Sequence, residues 1–396
     1  MKRTLLCSLL ILLFSVSLAQ AQAVNLTDSC VSDYDASVDY FPQKTEISQA
    51  TGFDVEYHGN YKVVHTLTPY PGATAPLEYV LVQCGTPAPE GYDQAQIVEV
   101  PVKSFVSLTT TQLPQIQALG HLDTLVAMDS YSFLYTNTPE VQAMIDAGQL
   151  TDVNSDSDIN VELLLDLEPD LVMANGYNPE TDAYPLLMNA GITTAVNSDW
   201  LEPTLLGRAE WLKFIALFYN EEAQAETLYD GIVSDYDSVA ALTASIPADQ
   251  RVTVLWNSYA SFTDSWTIPG AQSWVGELLT DAGANWILED QVQGVQQDFA
   301  FESVFDAGSE APIWVVNAYG VYSKADLTAL DERNSEFAAF QSGSVYNNTA
   351  RVNANGGNDY WERGVSNPQL LLKDLVKIFY PDLLPDYTPQ FYAKLD

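Results

Sequence analysis

Positive charge is scarce in this chain. Fifteen Lys and Arg stand against 53 Asp and Glu over 396 residues, a formal net charge of −38. A surface of that sign repels nucleic acid and anionic lipid, so neither is expected as a partner. It attracts cations, and it equally fits an exported protein tuned for salt or solubility. Histidine is rarer still: His58, His65 and His121 are the only three. His58 and His65 are separated by an odd number of residues in β-type sequence, so they fall on opposite faces of an unbroken strand. That argues against a His-built metal site, and no motif suggests a bare ferric ion held by Tyr and Asp. HExxH, GxSxG, P-loop and CxxC patterns are all missing, and nothing singles out a catalytic carboxylate pair among the acids. The expectation is a protein that is not an enzyme and carries no intrinsic cofactor or metal. A secreted metal-dependent hydrolase is the alternative from another class.

Long apolar runs are equally few. The one that exists opens the chain: Lys2 and Arg3 precede Leu5–Leu18, and Ala19-Gln20-Ala21 and Ala21-Gln22-Ala23 both fit a small-x-small cleavage site. This reads as a cleavable signal peptide, residues 1–23, and implies export to a periplasmic or other extracytoplasmic space. The run is short for a membrane span, and Cys7 sits too early to be a lipoprotein cysteine. Removing the segment takes away Lys2 and Arg3 but no acid, which leaves a net charge of about −40. Two cysteines remain, Cys30 and Cys84. In an oxidising compartment an even count suggests one disulfide, joining the N-terminal segment to the strand Tyr79–Cys84. The alternative is two unpaired thiols.

What is present is globular. At 47% hydrophobic and 17% charged residues the chain is not disordered, and its length suits two domains or lobes. Residues 24–40 are polar. From about 45 to 103 the pattern is β: "VEYHGNYKVVHTLTPY", "LEYVLVQCG" and "AQIVEVPVKSFVSL" are Val-, Tyr- and Thr-rich, broken by Pro/Gly clusters. Strands and helices then alternate to about residue 204, which implies a parallel sheet with helices on its faces. Residues 205–246 carry two helical segments with no strand between them. The second, about 221–245, has apolar positions at helical spacing and would span roughly 35 Å, enough to bridge two lobes. The β/α alternation restarts after Pro247: strands "RVTVLWN", near "NWIL", "PIWVVNA" and near "ARVNA", and a last helix from Pro368. Asn367 is its expected N-cap, with Pro368 at the first helical position. The expected architecture is α/β. A lobe over 24–204, β-rich at 45–103, and a lobe over 247–396 are joined by a long helix, with extra strands at the N-terminus.

Four segments resemble one known family. "NVELLLDLEPDLVMANG", "LLGRAEWLKFIALFYNEEAQAETLYDGI", "SWVGELLTDAGANWI" and "NPQLLLKDLVKIFYPDLLP" are similar, in this order, to blocks of the substrate-binding proteins of ABC importers for iron–siderophore complexes and cobalamin. The resemblance covers most of residues 45–396. It implies two α/β lobes on a rigid helix, a ligand in the cleft between them and little hinge motion. It also implies a monomeric carrier that hands its ligand to a membrane permease, through one Glu on each lobe. By motif position these are Glu162 and Glu277, with Asp281 the alternative to Glu277. A sensory binding protein that feeds a receptor is a further reading.

Ligands in open α/β sheets sit outside the carboxyl ends of strands. The residues following the expected strands are Thr109 and Thr110, Tyr131, and Tyr177 in the first lobe. In the second they are Trp256, Asn257 and Tyr259, Trp266, Asn317 and Tyr319, and Asn358, Tyr360, Trp361 and Arg363. Trp and Tyr present large flat faces with few rotors, which suit rings and chelates; the competing reading of each is core packing. Arg363 is the expected cation for a ligand's negative charge, or else the partner of a neighbouring acid. With so few basic residues, a neutral or weakly charged chelate such as a ferric hydroxamate is expected before a catecholate.

Overall fold

The computed structural model describes residues 24–92, 97–257, 259–260 and 263–396; the expected signal peptide lies outside them. No helix among the described residues is long and apolar enough to cross a membrane. The first structured unit is a four-stranded sheet of β1 (Phe53–Tyr57), β2 (Tyr61–Thr66), β3 (Leu77–Gln83) and β4 (Ile97–Val100), in that spatial order. β1, β2 and β3 pair antiparallel, and β4 joins β3 in parallel. Cys30 and Cys84 are joined by a disulfide, which ties the irregular N-terminal segment to the end of β3.

The first α/β lobe follows: β5 (Phe105–Ser107), α1 (Leu113–Ala118), β6 (Leu125–Met128), α2 (Ser130–Tyr135), α3 (Pro139–Asp146), β7 (Thr151–Asp152), α4 (Val161–Leu167), β8 (Leu171–Ala174), α5 (Ala183–Asn189) and β9 (Thr194–Val196). Its sheet has the order β7-β6-β5-β8-β9 and is parallel throughout. Every residue of β8 is buried, as a strand covered by helices on both faces requires. Two helices then run without an intervening strand: α6 (Leu205–Leu217) and α7 (Glu222–Thr243). At 22 residues, α7 is about 33 Å long, and it packs against α6 and the last helix of the chain.

The second lobe contains β10 (Val252–Trp256), β11 (Tyr259–Ala260), β12 (Ser265–Pro269), α8 (Trp274–Asp281), β13 (Ala284–Trp286), β14 (Gln296–Phe299), α9 (Phe301–Gly308), β15 (Ile313–Val316), α10 (Lys324–Leu330), α11 (Ala338–Ser342), β16 (Val345–Asn347), α12 (Pro368–Phe379) and β17 (Ala393–Lys394). Its main sheet, β13-β10-β15-β16-β17, is parallel except where β17 pairs antiparallel with β16. A separate antiparallel ribbon, β11-β12-β14, stands beside it; the sequence pattern did not reveal it.

Several scarce cations are spent inside. α6 is buried around its whole circumference, including Arg208, Glu210 and Lys213. One side carries the N-terminal sheet: Phe53, Val64, Tyr79, Leu81 and Val98 share a single core with Trp211, Phe214 and Phe218. Buried charges need partners, and here the partners are backbone groups of the N-terminal segment. Glu210 accepts hydrogen bonds from the N–H groups of Ser48 (2.8 Å), Gln49 (2.6 Å) and Ala50 (2.7 Å), and from Lys213 Nζ (3.0 Å). Glu202 accepts from Thr51 N, Gly52 N and Trp211 Nε1. Lys62 on β2, fully buried, donates to Glu222 Oε1 at 2.8 Å and to Asn220 Oδ1 at 2.9 Å.

One element differs from expectation in a way that matters for the site. The strand expected near Arg351–Ala354 is instead a turn, closed by an isolated bridge between Val352 and Asn358. Asn353 captures the backbone here: its Oδ1 accepts from Asn355 N and Gly357 N, both at 2.9 Å. Such a side-chain turn competes directly with a strand ladder. The strand of this unit is β16, further back. The following segment, expected as loop up to Arg363, contains a π-helical turn at Tyr360–Gly364.

Candidate functional site

The two lobes face one another across a cleft that Trp361 divides. On one side lies a space of about 360 Å³, walled by Thr110 and Tyr135 of the first lobe and by Asn317, Tyr319, Tyr322, Asn348, Gly356, Gly357 and Asn358 of the second. Among the described residues, no charged side chain lines it. On the other side lies a space of about 440 Å³, walled by Thr109, Thr111, Asn175, Tyr177, Asp199 and Trp200 of the first lobe, by Arg208 of α6, and by Trp274. Trp361 lines both and is 40% exposed.

The uncharged compartment is built from strand ends and held by amides. Asn317 follows β15, and its Oδ1 accepts from Asn348 Nδ2 at 2.9 Å. Asn358 donates to the carbonyl of Asn348 at 2.9 Å. Asn347, fully buried at the end of β16, donates to the carbonyls of Ala318 and Val321 and so fixes the loop that carries Tyr319. Tyr319 itself stands 81% exposed at the mouth. Gly356 needs its glycine: its φ is +92°, in the left-handed region.

The second compartment is an aromatic cage around one cation. Tyr177 stacks on Trp200 with ring centroids 4.6 Å apart, and Trp200 Nε1 is held by the Gly176 carbonyl at 3.2 Å. Trp274 meets Trp361 edge-on at 6.3 Å. The Arg208 guanidinium lies 5.8 Å from the centre of the Trp274 ring, within cation–π range. Its nearest carboxylate is Asp199, at a long 3.9 Å. Arg208 is only 6% exposed, and its Nε finds no hydrogen-bond partner among the described residues. Burial pushes the Asp199 carboxyl above the usual range, opposed by Arg208. Burial raises the Tyr177 phenol, with Asp199 adding to the effect. Arg208 and Asp199 thus face one another without direct hydrogen bonding, and guanidinium donors are left for a ligand.

The sequence-predicted residues divide accordingly. Thr109, Thr110, Tyr177, Asn317, Tyr319, Asn358 and Trp361 line the two compartments. Trp256, Trp266 and Tyr360 do not: they are buried to 2%, 0% and 1% exposure in the core of the second lobe, a correction to the reading from strand ends. Trp266 packs against Trp314 at 5.6 Å and also against Phe337 and Phe301. Tyr360 packs edge-on to Phe391 and Tyr392. A strand's pleat sends alternate side chains inward whatever lies at its end. Asn257 donates to the Thr267 carbonyl and fastens the antiparallel ribbon, and Tyr259 donates to Asp264 on that ribbon; neither lines the cleft. Tyr131 is exposed beside the cleft and stacks parallel to Tyr135 at 6.3 Å. Arg363 is corrected too. It donates to Asp359 at 2.8 Å and lies over Phe391 at 5.3 Å, outside both compartments. The cation of the cleft is Arg208, which sequence reasoning missed because an Arg on a helix reads as a solvated face. Trp200, Trp274 and Tyr135 were missed as well, since they sit on helices and 3₁₀ turns and not directly at strand ends.

Comparison with known proteins fits this geometry. Residues 105–347, well over half of the chain, match the family model described as periplasmic binding protein. The chain belongs to the periplasmic binding protein family. As a member it is a binding protein and not an enzyme, of the kind that takes up a small molecule and delivers it to an ABC permease. The matched residues begin at β5, so the N-terminal four-stranded sheet lies before them. A relative described as an uncharacterized lipoprotein of Methanocaldococcus jannaschii is 26% identical over 330 residues, covering 80% of each chain. Two solved structures share the fold. One is a periplasmic heme-binding protein from Pseudomonas aeruginosa, with 19% identity, a TM-score of 0.54 and coverage of 74% of this chain and 98% of that one. The other is a TroA-like periplasmic binding protein, FepB, from Veillonella parvula, with 17% identity, a TM-score of 0.53 and coverage of 76% and 96%.

Proposed function

We propose that this protein is an exported, extracytoplasmic carrier that captures an iron–siderophore-type chelate in the divided cleft and delivers it to an ABC importer. The observation that carries the reading is the cleft's wall chemistry: flat rings from both lobes, neutral amides and, among the described residues, one cation, Arg208, with Asp199 3.9 Å away. Rings and amides suit the face of a metal chelate. One Arg with an acid beside it would not offset the strong negative charge of a tris-catecholate, which favours a neutral or weakly charged ligand such as a ferric hydroxamate. The facing rings also suit a corrinoid or another flat macrocycle, which is the second reading. Glu162, exposed in the first turn of α4, and Glu277, half-buried in the first turn of α8, are proposed to meet the permease. Asp281 is the weaker candidate, since its carboxylate already accepts from Tyr236 at 2.7 Å. A monomer with one ligand is expected.

Intrinsic Trp fluorescence, titrated with ferric hydroxamates, ferric catecholates, cobalamin and free ferric ion and checked by native mass spectrometry, tests this. One-to-one saturable binding of a chelate is expected. Trp361→Ala should weaken it at least about tenfold, or about 1.4 kcal/mol. Arg363→Ala should leave it within about twofold, a change of about 0.4 kcal/mol. No saturable binding across the panel would remove the chelate assignment.

A further inference from the structure

Between the two lobes runs a seam of direct hydrogen bonds, and at its centre is a carboxylate that touches neither compartment. Glu362 sits on the π-helical turn of the second lobe, one residue after Trp361, and is 1% exposed. Its partners all belong to the first lobe. Oε1 accepts from Thr136 Oγ1 at 2.8 Å, from Thr138 Oγ1 at 2.7 Å and from Thr138 N at 3.2 Å. Oε2 accepts from Asn137 N at 2.5 Å. The loop between α2 and α3 is therefore wrapped around a side chain of the opposite lobe. Asn353 reinforces it by donating to the carbonyls of Leu134 (2.9 Å) and Thr136 (3.0 Å). Gly357 closes the contact: a Cβ there would stand 2.0 Å from the Tyr135 carbonyl oxygen.

We infer that Glu362 is a positioning residue for ligand retention: it latches the lobes at a fixed separation and so holds Trp361 between the two compartments. The argument is geometric. A buried carboxylate is stable only with its acceptors filled, and these donors come from the other lobe. Any opening that separates Glu362 from Thr136–Thr138 leaves a buried charge and several donors unpaired at once. Tyr135, Gly356, Gly357 and Trp361, which flank the seam, are also walls of the uncharged compartment, so its width is set by the same contact. Retention of a ligand in the proposed cleft then depends on a residue that never touches the ligand. This inference rests on the carrier reading above for its consequence, but not for the latch itself.

The electrostatic surroundings are simple. On its own element Glu362 is faced by Asp359, which is paired with Arg363 at 2.8 Å and lies 3.9 Å from Arg351. The first-lobe loop presents hydroxyl, amide and backbone groups. Burial raises the Glu362 carboxyl, the hydrogen bonds oppose it, and Asp359 raises it further. Acid therefore weakens the acceptor by protonating it.

Hydrogen exchange and ligand dissociation, measured on the wild type, Glu362→Gln, Glu362→Ala and Thr138→Val, test the inference. Glu362→Gln keeps one oxygen and turns the other position into a donor. Exchange at Asn137 or at Thr138 should accelerate at least about tenfold in it, and at both in Glu362→Ala. Dissociation of a ferric trihydroxamate, followed by stopped-flow Trp fluorescence, should accelerate at least about fivefold, with association nearly unchanged. In the wild type the dissociation rate should rise as the pH falls; in Glu362→Gln, where only cleft groups such as Asp199 still titrate, that rise should be smaller. Thr138→Val, which leaves Glu362 in place, serves if Glu362→Ala fails to fold and should give an intermediate effect. Unchanged exchange at both amides in Glu362→Gln and Thr138→Val overturns the latch, whatever the ligand. Accelerated exchange with unchanged dissociation overturns its role in retention. If no chelate binds, the carrier reading fails while the exchange result still decides the latch.

Discussion

Glu210 is the fastening of the N-terminal sheet to α6, and replacing it with Gln measures how much that fastening contributes. The carboxylate is fully buried. Oε1 accepts from Ser48 N, Ser48 Oγ and Lys213 Nζ; Oε2 accepts from Gln49 N and Ala50 N. Gln keeps the shape but presents N–H groups at one oxygen position, so at least two donors lose their acceptor. Each orphaned buried donor costs about 1–3 kcal/mol. Ser48 and Gln49 lie near the surface, so water recovers part of this. Lys213 keeps Glu226 at 3.0 Å and the Glu46 carbonyl at 2.8 Å, which limits the damage of an unpaired buried cation. The expected loss is about 2–4 kcal/mol, read as a shift of the urea midpoint with the slope unchanged. The exposed Glu162→Gln serves as control and should stay within about 0.5 kcal/mol. The pH dependence adds a signature. Burial pushes the Glu210 carboxyl up, but the three backbone N–H groups and Lys213 outweigh it, so its folded value lies below the ordinary 4.5 of a glutamate. A depressed carboxylate contributes its stability above the unfolded value and loses it as pH falls through the folded one. The gap between wild type and Glu210→Gln should thus be full at neutral pH and close in acid below about 4.5. A loss under about 1 kcal/mol, or a gap that persists in acid, would refute the account.

Two further outcomes follow from the N-terminal sheet. The Cys30–Cys84 bond closes a sequence separation of 54 residues, so a Cys30→Ser, Cys84→Ser variant should lose about 4 kcal/mol by the chain-entropy estimate; equal urea midpoints with and without the bond would contradict this. His65 on β2 lies between Asp54 of β1 (2.6 Å) and Glu78 of β3 (3.2 Å). Burial pulls its pKa down, but the two carboxylates outweigh it and the net shift is upward. A raised His stabilises fully below its unfolded value of about 6.5 and loses that contribution as pH rises through the folded value. The stability gap to His65→Gln should therefore be full in acid and shrink as the pH rises above about 6.5; a gap independent of pH would refute the pairing.

Much of the architecture was already legible in the residues. The strand–helix alternation on either side of 205–246 gave two α/β lobes, because alternating four-residue apolar runs and amphipathic stretches have few other arrangements. Asn367-Pro368 placed the start of α12, and its stripe of Leu371, Leu375, Ile378 and Phe379 is buried. Local pattern also located the loops that end the strands, and seven residues named from that rule line the cleft. It failed where a side chain overrode the backbone pattern, as Asn353 does in turning the expected strand at 351–354 into a turn.

The sequence by itself thus determined which residues share an element and which elements alternate, since both depend on neighbours within a few positions. Only the tertiary structure decided what each face meets. Trp266 and Trp361 are both aromatic residues expected beside the cleft, yet one is sealed among Trp314 and Phe337 and the other stands in the gap between the lobes. Arg363 and Arg208 are both helical arginines. One is neutralised by an acid a single turn away, at Asp359. The other is brought beneath an aromatic cage of Tyr177, Trp200, Trp274 and Trp361, of which only Trp200 lies near it in sequence. Periodicity specifies the direction a side chain leaves its own backbone. Which surface it enters depends on the packing of elements far apart in the sequence, and no local period encodes that.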